Sequence, residues 1–231
     1  MIWWHGKSSD DVNVIVERYP NVILPVRKQE KVSVPGRNGD LVMEQDAYEN
    51  VLQRYEIYIS AEKPRLPAIS HVVAEWLMVK GYQKLEDSYF LDTYRLGMFT
   101  GGIDIENILN RFGRATIEFD CKPQRFYKHG EFPIQLINGQ VLFNPSPFAA
   151  LPLLVIQGSG AGTISDGTRT LSLTNCDNIT VDCDIMQIYQ GTVNRNNYGS
   201  GSFLKLEGSQ TAITWTGGIT GVKLTPRWWT L

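Results

Sequence analysis

The chain has 231 residues, room for one large domain or two small ones at roughly 100–200 residues each. No window reaches about 18 consecutive apolar residues, which excludes a transmembrane helix, and residues 1–30 lack the basic start and apolar run of a signal peptide. A net charge of -2 excludes a protein that grips nucleic acid by neutralising phosphates.

Val12–Tyr19 alternates at close to strand period, with Val12, Val14 and Val16 on one face. Lys31–Val34 reads as a second strand. It runs into Pro35-Gly-Arg-Asn-Gly39, whose Pro-Gly and Asn-Gly pairs favour tight turns, and Leu41–Met43 returns. Gln53–Ser60 alternates cleanly, with Tyr55, Ile57 and Ile59 on one face. From Pro67 to Gly81 the spacing predicts one helix. Ile69, Val72, Val73, Trp76 and Leu77 fall at i, i+3, i+4, i+7 and i+8, a single apolar stripe. Pro67 suits the first turn and Gly81 the position just past the end. Tyr82–Leu85, Tyr94–Phe99, a Gly101-Gly102 turn, an apolar stretch near Ile103–Leu109 and the alternating Gly113–Cys121 follow.

Composition changes near residue 130. Residues 1–130 hold 35 of the 46 charged residues, whereas 131–231 hold 11, with 12 glycines and long Ser/Thr/Asn tracts. Two domains are therefore expected, 1–130 and 131–231, joined around 128–150. The second reads as short strands: Leu151–Gln157, Gly162–Asp166, Thr170–Thr174, Asn178–Cys183, Met186–Tyr189, Leu204–Leu206, Thr211–Thr216 and Gly221–Leu224. Their spacing and turns suggest a β-sandwich. The fold class expected for the whole chain is mainly β with one helix (α+β).

Chemical motifs are scarce. Cys121, Cys176 and Cys183 make no disulfide framework and read as free thiols in a reducing compartment. His5, His71 and His129 stand singly, without the second ligand about four residues away that a metal pair needs. Gly158-Ser-Gly-Ala-Gly162 resembles a phosphate loop, but no helix follows it, so a hairpin loop is expected. Asp182 and Asp184, two apart on one strand, would lie about 6.6 Å apart on one face, near the spacing of a glycosidase acid pair. A solvated face or a salt bridge to an arginine explains them more simply. No Gly-x-Ser-x-Gly or His-Glu-x-x-His motif occurs. No catalytic, cofactor-binding or metal-ligating residue is assigned, no cofactor is expected, and the protein reads as a non-enzyme. Trp3-Trp4 and Trp228-Trp229 mark both ends for docking, against the fold or against a partner. Trp215 or Tyr198, if exposed, could stack on a sugar ring.

The order of these segments resembles the distal tail protein (Dit) family of long-tailed bacteriophages. In the first domain the likeness rests on Ser9-Asp-Asp-Val-Asn-Val-Ile-Val-Glu-Arg-Tyr-Pro20, on Val34-Pro-Gly-Arg-Asn-Gly39 and on Trp76…Gly81-Tyr…Leu85-Glu-Asp-Ser-Tyr89…Tyr94-Arg. It continues in Phe112-Gly…Ile117-Glu-Phe-Asp-Cys-Lys-Pro123. In the second it rests on Asn144-Pro-Ser, Val155-Ile-Gln-Gly-Ser-Gly160, Ile179-Thr-Val-Asp-Cys-Asp184, Gly201-Ser-Phe-Leu-Lys-Leu206, Ile213-Thr-Trp-Thr-Gly217 and Pro226-Arg-Trp-Trp-Thr-Leu231. Each motif is weak alone, and their order over about 220 residues is specific. Asn38 departs from the acidic residue often seen before Gly39.

The resemblance implies a structural virion protein, made in the host bacterial cytoplasm and located at the tail tip. It implies a homo-oligomer, a hexameric ring formed by the N-terminal domain, with a galectin-like C-terminal β-sandwich projecting outward. The implied partners are the tail tube protein, the tail-tip (Tal) protein and receptor-binding or baseplate components, with no membrane and no specific nucleic-acid binding. A slightly acidic chain suits a channel through which DNA slides, because it offers no phosphate clamp. The alternative is a carbohydrate-binding module that assists host attachment.

Overall fold

The computed structural model describes residues 1–60, 66–108 and 112–231. The chain divides into two compact units, Met1–Arg125 with Leu231, and Phe126–Thr230. The first is built on an extended sheet. Along it run the strands Lys7–Ser8, Ile2–Trp4, Gln83–Asp87, Thr93–Phe99, Phe112–Tyr127, Val51–Ser60 and Val14–Val16. Glu106–Ile108 adds to Phe112–Arg114, while Leu109 of the expected apolar stretch lies outside the described residues.

The alternation read from the sequence sets the buried face. Tyr55, Ile57 and Ile59 pair in register with Ile117, Ala115 and Gly113 of the neighbouring strand, and their side chains share one core with Phe119 and Trp4. Trp4 and Phe119 have ring centroids 4.6 Å apart. The helix, Leu66–Leu77, adds Ile69, Val73, Trp76 and Leu77 to that core. It ends four residues before Gly81, and Val72 is exposed rather than part of the stripe. At 3.6 residues per turn Val72 lies about 60° to one side of Ile69, on the flank of the apolar face. The first expected strand is also shorter. Asp10–Val12 is a 3-10 turn, and Asn13 takes the left-handed conformation (φ 57) that asparagine tolerates, so only Val14–Val16 is strand.

The second unit is organised by two long antiparallel strands, Leu153–Ser165 and Gln210–Thr225. Each joins two segments that the sequence presents as separate strands. Ile134–Leu136 and Ile179–Asp182 flank one half of this pair, Gln140–Phe143 and Thr170–Leu173 the other. Residues from both halves meet in one core, including Leu154, Ile156, Ile164, Ile213, Val222 and Leu224. The expected strand Leu204–Leu206 is reduced to one bridge, Ala150 to Leu206. The fold class is mainly β with a single α-helix among the described residues. No helix among them is long and apolar enough to cross a membrane.

Gly158-Ser-Gly-Ala-Gly162 is not a hairpin loop. It lies inside the long strand, where the register shifts between Gln157 and Gly162. These glycines answer a close backbone approach: a Cβ on Gly218 would overlap the Ser159 carbonyl oxygen, and one on Gly158 would overlap that of Gly218. Gly218→Ala is expected to destabilise the second unit by about 1–3 kcal/mol, the range for overpacking. Denaturant unfolding reads the change, and an unaltered midpoint would contradict this account of the kink.

Candidate assembly site

A β-hairpin stands apart from both sheets. Among the described residues Arg27–Val32 and Leu41–Tyr48 pair only with each other, with Lys31 opposite Val42 and Val32 opposite Leu41. The turn between them uses positive φ at Gly36 and Gly39, as the Pro-Gly and Asn-Gly pairs required. Every residue of the first strand is exposed, as are Leu41–Asp46 of the second. Val32, Val34, Leu41, Val42 and Met43 are therefore all in water, and so are Val22, Leu24 and Val26 on the approach, Leu24 at 71%. An isolated two-stranded hairpin is at best marginally stable. One that also carries apolar residues and unpaired edges is a template for another chain. The sequence disclosed the strands and the turn but not their detachment from the sheet. The consecutive Leu41-Val42-Met43 was the available signal, since a half-buried strand would have alternated.

The outer face of the first sheet is charged and internally paired. Arg18 meets Glu56, Arg54 Oε1 of Glu118 at 2.5 Å, and Arg114 Oε1 of Glu17 at 3.0 Å. Each pair is largely exposed and worth little alone.

The residues weighed for chemistry fall apart. Asp182 is engaged by Arg227, whose Nη1 and Nη2 donate to its two oxygens at 2.7 and 3.0 Å, and it accepts the Asp184 N–H at 3.0 Å. Burial pushes its carboxyl up, but the Arg227 bonds and charge and the backbone N–H groups outweigh it and hold it below the usual carboxylate range. A depressed carboxylate contributes stability above the unfolded-state value, about 3.9, and loses it as pH falls through the folded one. Asp182→Asn is therefore expected to flatten the loss of second-unit stability between pH 6 and pH 2. Unfolding midpoints across that range read it, and parallel curves for wild type and variant would contradict the role given to the pair.

Burial pushes the Cys121 and Cys183 thiols up to about 12, so neither supplies a thiolate nucleophile at neutral pH. Among the described residues no group of three or more His, Cys, Asp or Glu side chains could hold a metal. His71 is exposed on the helix. Trp215 is 8% exposed within the core and so offers no open ring face for a sugar, and Tyr198 packs partly buried against that core. Trp4 and Trp228 are buried in their respective cores.

Residues 12–121 match the family model of the phage tail protein RIFT-related domain. The whole chain matches a solved structure described as the SPP1 Dit protein, a paradigm of hub adsorption apparatus in phages infecting Gram-positive bacteria. The TM-score is 0.75 at 11% identity, over 100% of this chain and 98% of that one. The phage P2 baseplate in its activated conformation, solved with Ca and with Sr, matches at a TM-score of 0.49 and 10% identity, covering 92% of this chain and 89% of that one. No curated protein sequence matches. The chain carries, over residues 12–121, the phage tail protein RIFT-related domain. Its fold is that of a siphophage distal tail protein, as the sequence resemblance implied.

Proposed function

We propose that this chain is the hub subunit of the distal tail: residues 1–130 close into a hexameric ring with a central channel for DNA, and residues 131–231 project from it as a galectin-like β-sandwich. The observation that carries this reading is the hairpin Arg27–Tyr48, an exposed apolar arm with no neighbouring strand among the described residues, in a chain of the distal tail fold. Closed cyclic symmetry needs two different complementary patches per subunit, and an arm on one subunit that reaches the next is one way to supply them. The paired charges on the outer face of the first sheet fix register more than affinity. The tail tube on one side, the Tal protein on the other and receptor-binding components outside are the partners of this reading. The reading needs no catalytic step, and the bidentate Arg227 clamp holds Asp182 in a salt bridge rather than free to pair with Asp184 for glycan cleavage. The test is the solution mass of the purified chain, where a species several times 26.1 kDa is expected. A chain that stays a monomer, even with its tube and tip proteins present, would overturn the reading.

A further inference from the structure

The core of the first unit turns polar at one end, independently of any ring. Gln53, Tyr55, Asp87, Arg95 and Arg125 come from four adjacent strands of its sheet, and all five side chains are buried. Their hydrogen bonds are unevenly shared. The Tyr55 hydroxyl donates to Oδ2 of Asp87 at 2.9 Å, while Oδ1 accepts the N–H groups of Tyr89 and Phe90 at 3.0 and 2.7 Å. Arg95 Nη2 donates to the Ile23 carbonyl at 3.2 Å, and the Arg125 guanidinium lies over the Phe90 ring at 3.6 Å. Without partners among the described residues are Nε and Nη1 of Arg95, Nη2 of Arg125, and both Nε2 and Oε1 of Gln53. These residues are 3%, 6% and 1% exposed. Two guanidinium charges thus stand against one already engaged carboxylate, away from water. Buried charged donors are retained when an acceptor meets them. The two arginines are close enough that burial, together with the charge of Arg125, pushes Arg95 down to about 10.

We propose that this polar pole binds one small inorganic oxyanion, with Arg95 and Arg125 as its cationic donors and the Gln53 amide completing the shell. The forked N–H groups of arginine match oxyanion geometry. An oxyanion that carries its own O–H, as inorganic phosphate does, also satisfies Oε1 of Gln53, which sulfate cannot. Tyr55 and Asp87, at the edge of the pole, also line a surface cavity of about 530 Å³ together with Met1, Tyr19, Ser88 and Tyr89.

The test is thermal unfolding of the full chain in rising inorganic phosphate, at ionic strength held constant with potassium chloride. A ligand bound only by the folded state raises the midpoint. The wild type is expected to show a saturable rise of several degrees, larger with phosphate than with sulfate. Arg95→Met and Arg125→Met, which keep volume and remove charge, should abolish it. Gln53→Leu should erase the preference for phosphate over sulfate. Should a methionine variant fail to fold, Arg95→Lys keeps the charge without the fork and is expected to weaken phosphate binding at least tenfold by calorimetry. A wild-type midpoint that does not move up to 50 mM phosphate overturns the proposal, as does an equal rise in whichever of the arginine variants folds.

Discussion

Deleting residues 226–231 is expected to cost the second unit at least 3–5 kcal/mol, the range for removing a large aromatic from a core. The tail is short but tied on every side. Trp228 is buried, its carbonyl accepts the Tyr127 N–H at 2.9 Å, and its ring lies 5.3 Å from that of His129. Trp229 stacks on Phe148 with centroids 4.6 Å apart and donates from Nε1 to the Ala149 carbonyl at 3.1 Å. Arg227 holds Asp182, so truncation also leaves a largely buried carboxylate without its cation. Only Trp229–Thr230 is strand, and Arg227 takes a left-handed conformation (φ 56), so strand alternation does not extend back to Arg227. Denaturant unfolding of the truncated chain, with one probe in each unit, measures the loss. An unchanged midpoint for the second unit would make the tail a dispensable arm.

Val42→Glu combined with Met43→Glu is expected to dissociate the assembly while leaving the subunit folded. Adjacent strand residues face opposite sides, so the pair of changes puts charge on both faces of the hairpin. Both side chains are exposed in the subunit, which makes their replacement nearly neutral for folding. At an interface, each buried anchor of this size contributes about 2 kcal/mol, roughly a thirtyfold change in a dissociation constant. Sedimentation reads the assembly, and thermal unfolding of the same sample reads the subunit. A variant that assembles like wild type would remove the hairpin from the interface.

Where one face of an element is buried, the sequence declares it. The alternation at Tyr55, Ile57 and Ile59 and the stripe at Ile69, Val73 and Trp76 both report a core that the structure contains. Glycine was harder to read. Gly158, Gly162 and Gly218 resemble turn residues, yet they serve a backbone approach between strands some sixty residues apart, which no local pattern encodes. The polar pole escaped for the same reason, because Gln53, Asp87, Arg95 and Arg125 are ordinary strand residues until the sheet lines them up. Asp182 and Asp184 suggested a pair by spacing, whereas the partner that defines Asp182 lies 45 residues on, at Arg227.

The hub account is tested most directly by the mass of the full chain in solution, by light scattering across a concentration range, alone and mixed with tail tube and tail-tip proteins. The account predicts a closed species of six subunits that the Val42→Glu, Met43→Glu chain does not form. A chain that remains a 26.1 kDa monomer at every concentration and in both mixtures would contradict it.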